Sequence, residues 1–167
     1  MFIAHLPAGY LLTRMLQRKM HTTKYLLVGL IASVFPDLDL LYFYFIDHRQ
    51  TLHHEYWTHL PFVWLSLWLV LILITLVWKK KEWFMLTMII FSNIILHLIL
   101  DTFVGGIAWL YPLSHTPLFL VTIPARYSFW VENFIFSWTF LVEILITIAA
   151  VIYRVFERTK TKKQNAS

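Results

Sequence analysis

Residues 79–101 read KKKEWFMLTMIIFSNIILHLILD. The stretch opens on three lysines and Glu82, runs without a charge over residues 83–100, and closes on Asp101. Only Thr87, Ser92, Asn93 and His97 are polar inside it. A bilayer core about 30 Å thick takes roughly 20 apolar helical residues to cross. The stretch is therefore a membrane span with a basic cluster at one end. At its other end His97 and Asp101 stand four residues apart, which puts both on one face of a helix.

Two more stretches read the same way. Residues 60–78 carry no charge, and residues 133–153 carry only Glu143. A fourth apolar stretch, residues 25–46, is long enough but is interrupted by Phe35, Pro36, Asp37, Leu38 and Asp39. Proline disrupts a helix interior, and two carboxylates are costly in lipid. The pattern predicts a short helix over 23–34, a break, and an aromatic segment over 40–46. An N-terminal helix over about 7–20 precedes them, with Pro7 in its first turn. Thr58 is an N-cap candidate for the span that begins near Pro61. Residues 102–132 are apolar but broken by Gly105, Gly106, Pro112, Pro117 and Pro124. With Trp109, Tyr111, Tyr127 and Trp130 suited to an interfacial belt, they are expected to form a re-entrant or surface-lying lid.

The fold class that follows is all-α: an integral membrane helical bundle of three clear spans plus one or two short or broken helices. One membrane-embedded domain is expected over 1–158, followed by a disordered basic tail over 159–167. Composition agrees. Of 167 residues, 59% are hydrophobic and only 14% charged, where soluble domains run near half and a quarter. Disorder is excluded by the 18% aromatic content. Without cysteine, neither a disulfide framework nor a thiolate metal site can form.

The net charge of +5 is explained by placement. Arg14, Arg18, Lys19 and Lys24 lie in the later turns of the first helix and the link to the second, Lys79, Lys80 and Lys81 join two spans, and Arg154, Arg158, Lys160, Lys162 and Lys163 follow the last. All fall on one side of a consistent topology, which the positive-inside rule makes the cytoplasm, C-terminus included. Nucleic acid is not needed to account for them. No basic residue precedes the first apolar run and no small-residue cleavage site follows it, so no cleavable signal peptide is expected.

The ionisable residues inside this frame share a depth. Counting about 1.5 Å per residue from the nearest basic group, His5 and Asp37 lie roughly 20 Å from the basic side, His97 about 24 Å, and His59 and Asp101 about 30 Å. Asp39 lies beside Asp37, on backbone expected to be extended, where i and i+2 point the same way. His54 reaches the same layer only if residues 53–59 fold back. Intramembrane ionisable groups are functional by default. Imidazole and carboxylate without thiolate suit zinc, manganese or iron. The candidate ligands are His5, Asp37, Asp39, His54, His59, His97 and Asp101, enough for one or two ions, and Asp39, Glu55 or Asp101 is the candidate base. His21, His48 and His115 read as ordinary interfacial groups. Glu143, mid-span, and His53 have no role assigned by spacing.

These elements resemble the YdjM-type bacterial inner-membrane metal-dependent hydrolase family. The marks, in order, are His5, Pro36-Asp37-Leu38-Asp39, His54 to His59 as His-Glu-Tyr-Trp-Thr-His, and His97, Asp101 and Gly105, followed by Trp109-Leu110-Tyr111-Pro112. Glu55, Tyr56 and Leu40 depart from that pattern. The family is distantly similar to zinc-dependent phospholipase C. The resemblance implies a multi-pass inner-membrane protein and a divalent metal, zinc first and manganese second. By analogy it implies hydrolysis of a phosphoester on a lipid or lipid-linked substrate at a site toward the outer face. Two other readings stand beside it. One is a non-enzymatic membrane protein with a structural metal or a hydrogen-bonded His/Asp core. The other is a metal transporter, which the apolar residues 65–77 count against.

Overall fold

The computed structural model describes residues 3–164. Residues 165–167, the end of the expected tail, lie outside them, as does the side chain of Trp130. Among the described residues seven α-helices follow in order: α1 His5–Lys19, α2 Leu26–Ala32, α3 Asp39–Phe45, α4 Pro61–Trp78, α5 Lys81–Thr102, α6 Trp130–Ile135 and α7 Trp138–Gln164. Three of them, α4, α5 and α7, are long and apolar enough to cross a membrane. The pair Leu26–Ala32 and Pro36–Phe45 would make a fourth, bent by 56° at its break.

The helix α5 is the centre of the bundle. Half of its apolar window is buried, against 17% for α4 and for α7. Lys79 adopts a left-handed conformation, φ 52°, and two residues return the chain from α4 into α5, so the two helices are antiparallel neighbours. Trp64 from α4, Phe91, Ile94 and Leu98 from α5, Ala32 from α2 and Ile107 from the following segment form the main apolar core. On the opposite flank α1 crosses α2 closely. A Cβ on Gly29 would fall 2.2 Å from Thr13 Oγ1, and one on Gly9 2.3 Å from Ser33 Cβ. Small residues at helix crossings are how membrane helices approach each other. Asn93 Nδ2 donates to Thr13 Oγ1 at 3.0 Å within that seam.

One end of the bundle is basic. Arg14 Nε lies 3.1 Å from Glu157, Tyr10 donates to Glu157, and Lys24 Nζ lies 2.6 Å from Glu82. These contacts tie α1 to α7 and the α1–α2 link to the start of α5. They also account for a difference from the sequence expectation. The last helix does not end near residue 153 but continues to Gln164, through most of the segment expected to be a disordered tail, because Glu157 is held against α1. It also begins later than expected: residues 133–135 belong to α6, and the long helix opens at Trp138.

Two local expectations are corrected. The Pro36–Leu38 segment is a 3-10 turn that runs directly into α3, so Asp37 and Asp39 stand on helical, not extended, backbone. The N-cap of α4 is Leu60, not Thr58. The Thr58 hydroxyl instead donates to Asp39 Oδ2, and its carbonyl accepts from Trp64 Nε1 at 2.7 Å. Residues 103–129 contain no helix. They are pinned to the end of α5 by Trp109 Nε1 donating to Thr102 Oγ1 at 2.8 Å and by Leu120 N donating to Thr102 O at 3.0 Å. Leu110, Leu113 and Phe119 point outward from them.

Candidate metal centre

At the end opposite the basic cluster, four elements bring their polar side chains together. His97 and Asp101 come from the last two turns of α5, and His5 from the first turn of α1. Asp37 comes from the turn between α2 and α3, and His59 from the 3-10 turn before α4. His97 Nε2 lies 3.0 Å from Asp101 Oδ2, 3.6 Å from Asp37 Oδ1 and 3.5 Å from His59 Nε2. His59 Nε2 lies 3.7 Å from both Asp37 Oδ1 and Asp101 Oδ2. The antiparallel packing of α1 on α5 places His5 at the same level, stacked on His97 with centroids 3.9 Å apart and with Nε2 3.1 Å from Asp101 Oδ1. Residues 53–59 fold back as expected, through two 3-10 turns joined at an extended Tyr56.

Each imidazole is turned by its other nitrogen. His97 Nδ1 lies 2.9 Å from the Ser33 carbonyl, and His54 Nδ1 2.6 Å from the Gly105 carbonyl. A carbonyl only accepts, so both Nδ1 atoms carry the hydrogen, and a neutral ring then presents a bare Nε2. His59 Nδ1 lies 2.8 Å from Asp39 Oδ2. The Nε2 of His97 thus faces the Asp101 carboxylate, and both groups are of the kind that bind a metal ion. Tying one ring nitrogen to a carbonyl or carboxylate is how ligand histidines are oriented.

The donor set fits a metal ion. With metal–donor bonds of about 2.0–2.2 Å, the edges of a tetrahedron are about 3.3–3.6 Å. Five of the six donor separations among Asp37, His59, His97 and Asp101 are 3.0–3.7 Å and bracket that value, and all six lie within 4.8 Å. Burial lowers the His59 pKa, yet hydrogen bonds to Asp37 and Asp39 and the Asp39 and Asp101 charges hold it up to about 9. Burial pushes His54 down to about 4.

Of the residues expected to bind metal, Asp37, His59, His97 and Asp101 meet around one point. His5 supports Asp101 from behind. Asp39 lies on the far side of His59, with Oδ2 toward His59 and Thr58 and Oδ1 3.3 Å from His53 Nδ1. Its oxygens face His59, Thr58 and His53, and it is not among the four groups that converge. His54 stands at the edge, its Nε2 3.9 Å from Asp101 Oδ2. Glu55 is exposed and outside the cluster. The Ser33 and Gly105 carbonyls were beyond sequence reasoning, because a backbone oxygen has no signature. His53 had one signal, its place in a histidine doublet.

The role left open for Glu143 is filled by α1. Ile3 N and Ala4 N donate to Glu143 Oε2 at 2.5 and 3.2 Å, immediately before His5. The N-cap of α1, Ala4, offers no side-chain cap, and a buried carboxylate from α7 substitutes for one, with the helix dipole in its favour. Glu143→Ala strands two backbone donors and is expected to cost about 1–3 kcal/mol. Glu143→Gln, whose amide oxygen still accepts, keeps most of that stability. Thermal unfolding in detergent measures both, and an Ala variant as stable as the parent contradicts the capping role.

The sequence model of the family described as YdjM inner membrane protein matches residues 1–163. No curated protein and no solved structure matches the chain.

Proposed function

The chain belongs to the YdjM inner membrane protein family, and we propose that it is a membrane-embedded metal-dependent hydrolase acting on a phosphoester of a lipid or lipid-linked substrate. The observation that carries this reading is the convergence of ligand atoms from Asp37, His59, His97 and Asp101, all within 4.8 Å of one another at the end of a membrane span. In the proposal Asp37, His59, His97 and Asp101 hold a divalent ion, zinc before manganese. Asp39, His5 and the Ser33 carbonyl keep those donors aimed. A divalent ion held there supplies Lewis acidity, lowering the pKa of water and offsetting charge on a leaving phosphoryl oxygen.

The residues of the chain do the rest. Asp37 is 28% exposed where Asp101 is 2%, so water and substrate enter past Asp37. Its carboxylate takes the proton of the attacking water as the water oxygen bonds to phosphorus and the bond to the leaving oxygen breaks, and it returns that proton to the leaving oxygen, a role the sequence had offered to Asp39, Asp101 or Glu55. His97 and Asp101 lie in the last turns of a span, which favours a substrate delivered by the bilayer. The outward-pointing Leu110, Leu113 and Phe119 of the 103–129 segment suit that route. The cluster lies opposite the basic end, and the positive-inside rule then puts it toward the outer face of the membrane.

The test is turnover by the purified, metal-replete protein in lipid nanodiscs against phospholipids and lipid phosphates. Release of phosphate or headgroup, lost on chelation and in the His97→Ala variant, is the expected result. A metal-replete protein that cleaves none of these lipids sinks the hydrolase reading and favours a structural ion. One observation points that way for this set alone. Four protein donors complete a tetrahedron and leave no open position.

A further inference from the structure

We propose that a second divalent cation binds beside the first, in an open site held by His53 and His54. Nitrogen atoms of His53, His54 and His59 lie within 4.8 Å of one another. The rings of His53 and His54 lie side by side with centroids 3.9 Å apart. Each has its Nδ1 tied to an acceptor, His53 to Asp39 Oδ1 at 3.3 Å and His54 to the Gly105 carbonyl at 2.6 Å. This is the same device that turns His97 and His59, and it leaves the Nε2 atom of each ring free to bind a cation. Two neighbouring histidines without a ligand have no need of it.

The first ion does not use these donors. Asp37, His59, His97 and Asp101 already complete its tetrahedron. His54 Nε2 lies 3.9 Å from Asp101 Oδ2, so Asp101 borders both sites. Asp39 serves both as well, one oxygen on His59 and the other on His53. The environments differ. The side chains of His59, His97 and Asp101 are at most 2% exposed, whereas His53 and His54 are 22% and 18% exposed. A site with two imidazoles, one bordering carboxylate and access to solvent leaves coordination positions for water or a substrate oxygen. Imidazole donors of this kind suit zinc, and cobalt(II) can stand in for it. The Gly105 backbone is part of the construction. A Cβ there would fall 2.0 Å from His54 Cε1, so only glycine lets the carbonyl reach the ring.

The inference rests on the metal-centre reading of the first site and is independent of hydrolysis. The experiment is metal titration of the chelator-stripped full chain in detergent with zinc, read by mass spectrometry, and with cobalt(II), read by its visible absorption. The parent is expected to saturate at two equivalents. The His53→Ala/His54→Ala double variant is expected to saturate at one, and so is Gly105→Ala, which leaves every donor of the first site in place. A parent that saturates at one equivalent overturns the second site whatever the variants do. So does a double variant that still takes two. A parent that takes none overturns both metal readings. Two equivalents without turnover leave this site standing and remove only the hydrolase proposal.

Discussion

Asp101→Ala is expected to empty the metal centre and abolish turnover while the helices still insert. No side chain is more central to the cluster: His5, His54, His59 and His97 all approach its two oxygens within 3.9 Å. If four donors share the roughly 10–16 kcal/mol of a structural zinc site, one of them carries about 2–4 kcal/mol. That is a loss of roughly 30- to 700-fold in affinity. His97→Ala is expected to match it, because it removes a donor and the link from α5 to the Ser33 carbonyl. Insertion depends on the apolar length of α4, α5 and α7, which neither substitution in α5 shortens. Metal content, turnover and membrane fraction measured together decide the matter. Normal metal and normal turnover in both variants would leave the cluster without a function.

Asp39→Ala is expected to weaken metal binding by about 10–100-fold without eliminating it, the usual effect of removing a carboxylate that orients ligand histidines. Asp39 accepts from Thr58 and faces His59 and His53, so its loss frees two rings at once. Asp39→Asn is expected to fall between parent and Ala, since one oxygen remains to accept. Competition against a chelating dye gives the affinities. Complete loss of metal in Asp39→Ala would make Asp39 a donor to the ion, and parent affinity would make it a bystander.

That second result bears on how far the sequence could be read. Apolar run length locates α4 and α5 to within a few residues, because crossing a bilayer imposes a length that nothing else demands. Helix rise then brings His5, Asp37, His59, His97 and Asp101 to a common level. The division of labour between Asp37 and Asp39 was out of reach. It depends on the turn after Pro36 being helical, and a proline followed by two carboxylates is equally at home in an extended break. Glu143 showed itself as an anomaly in a span, but its partners are backbone N–H groups of another helix and carry no residue signature. The extension of α7 beyond Tyr153 depends on Arg14 and Tyr10 reaching Glu157, a contact between residues more than a hundred positions apart.

The central claim is that Asp37, His59, His97 and Asp101 hold a divalent ion. The most direct measurement is the metal content of the detergent-purified protein by mass spectrometry, after repletion with zinc or manganese and removal of free ions. At least one tightly held equivalent per chain is the predicted result. A protein that retains none contradicts the claim and leaves the cluster as a protonated, hydrogen-bonded core.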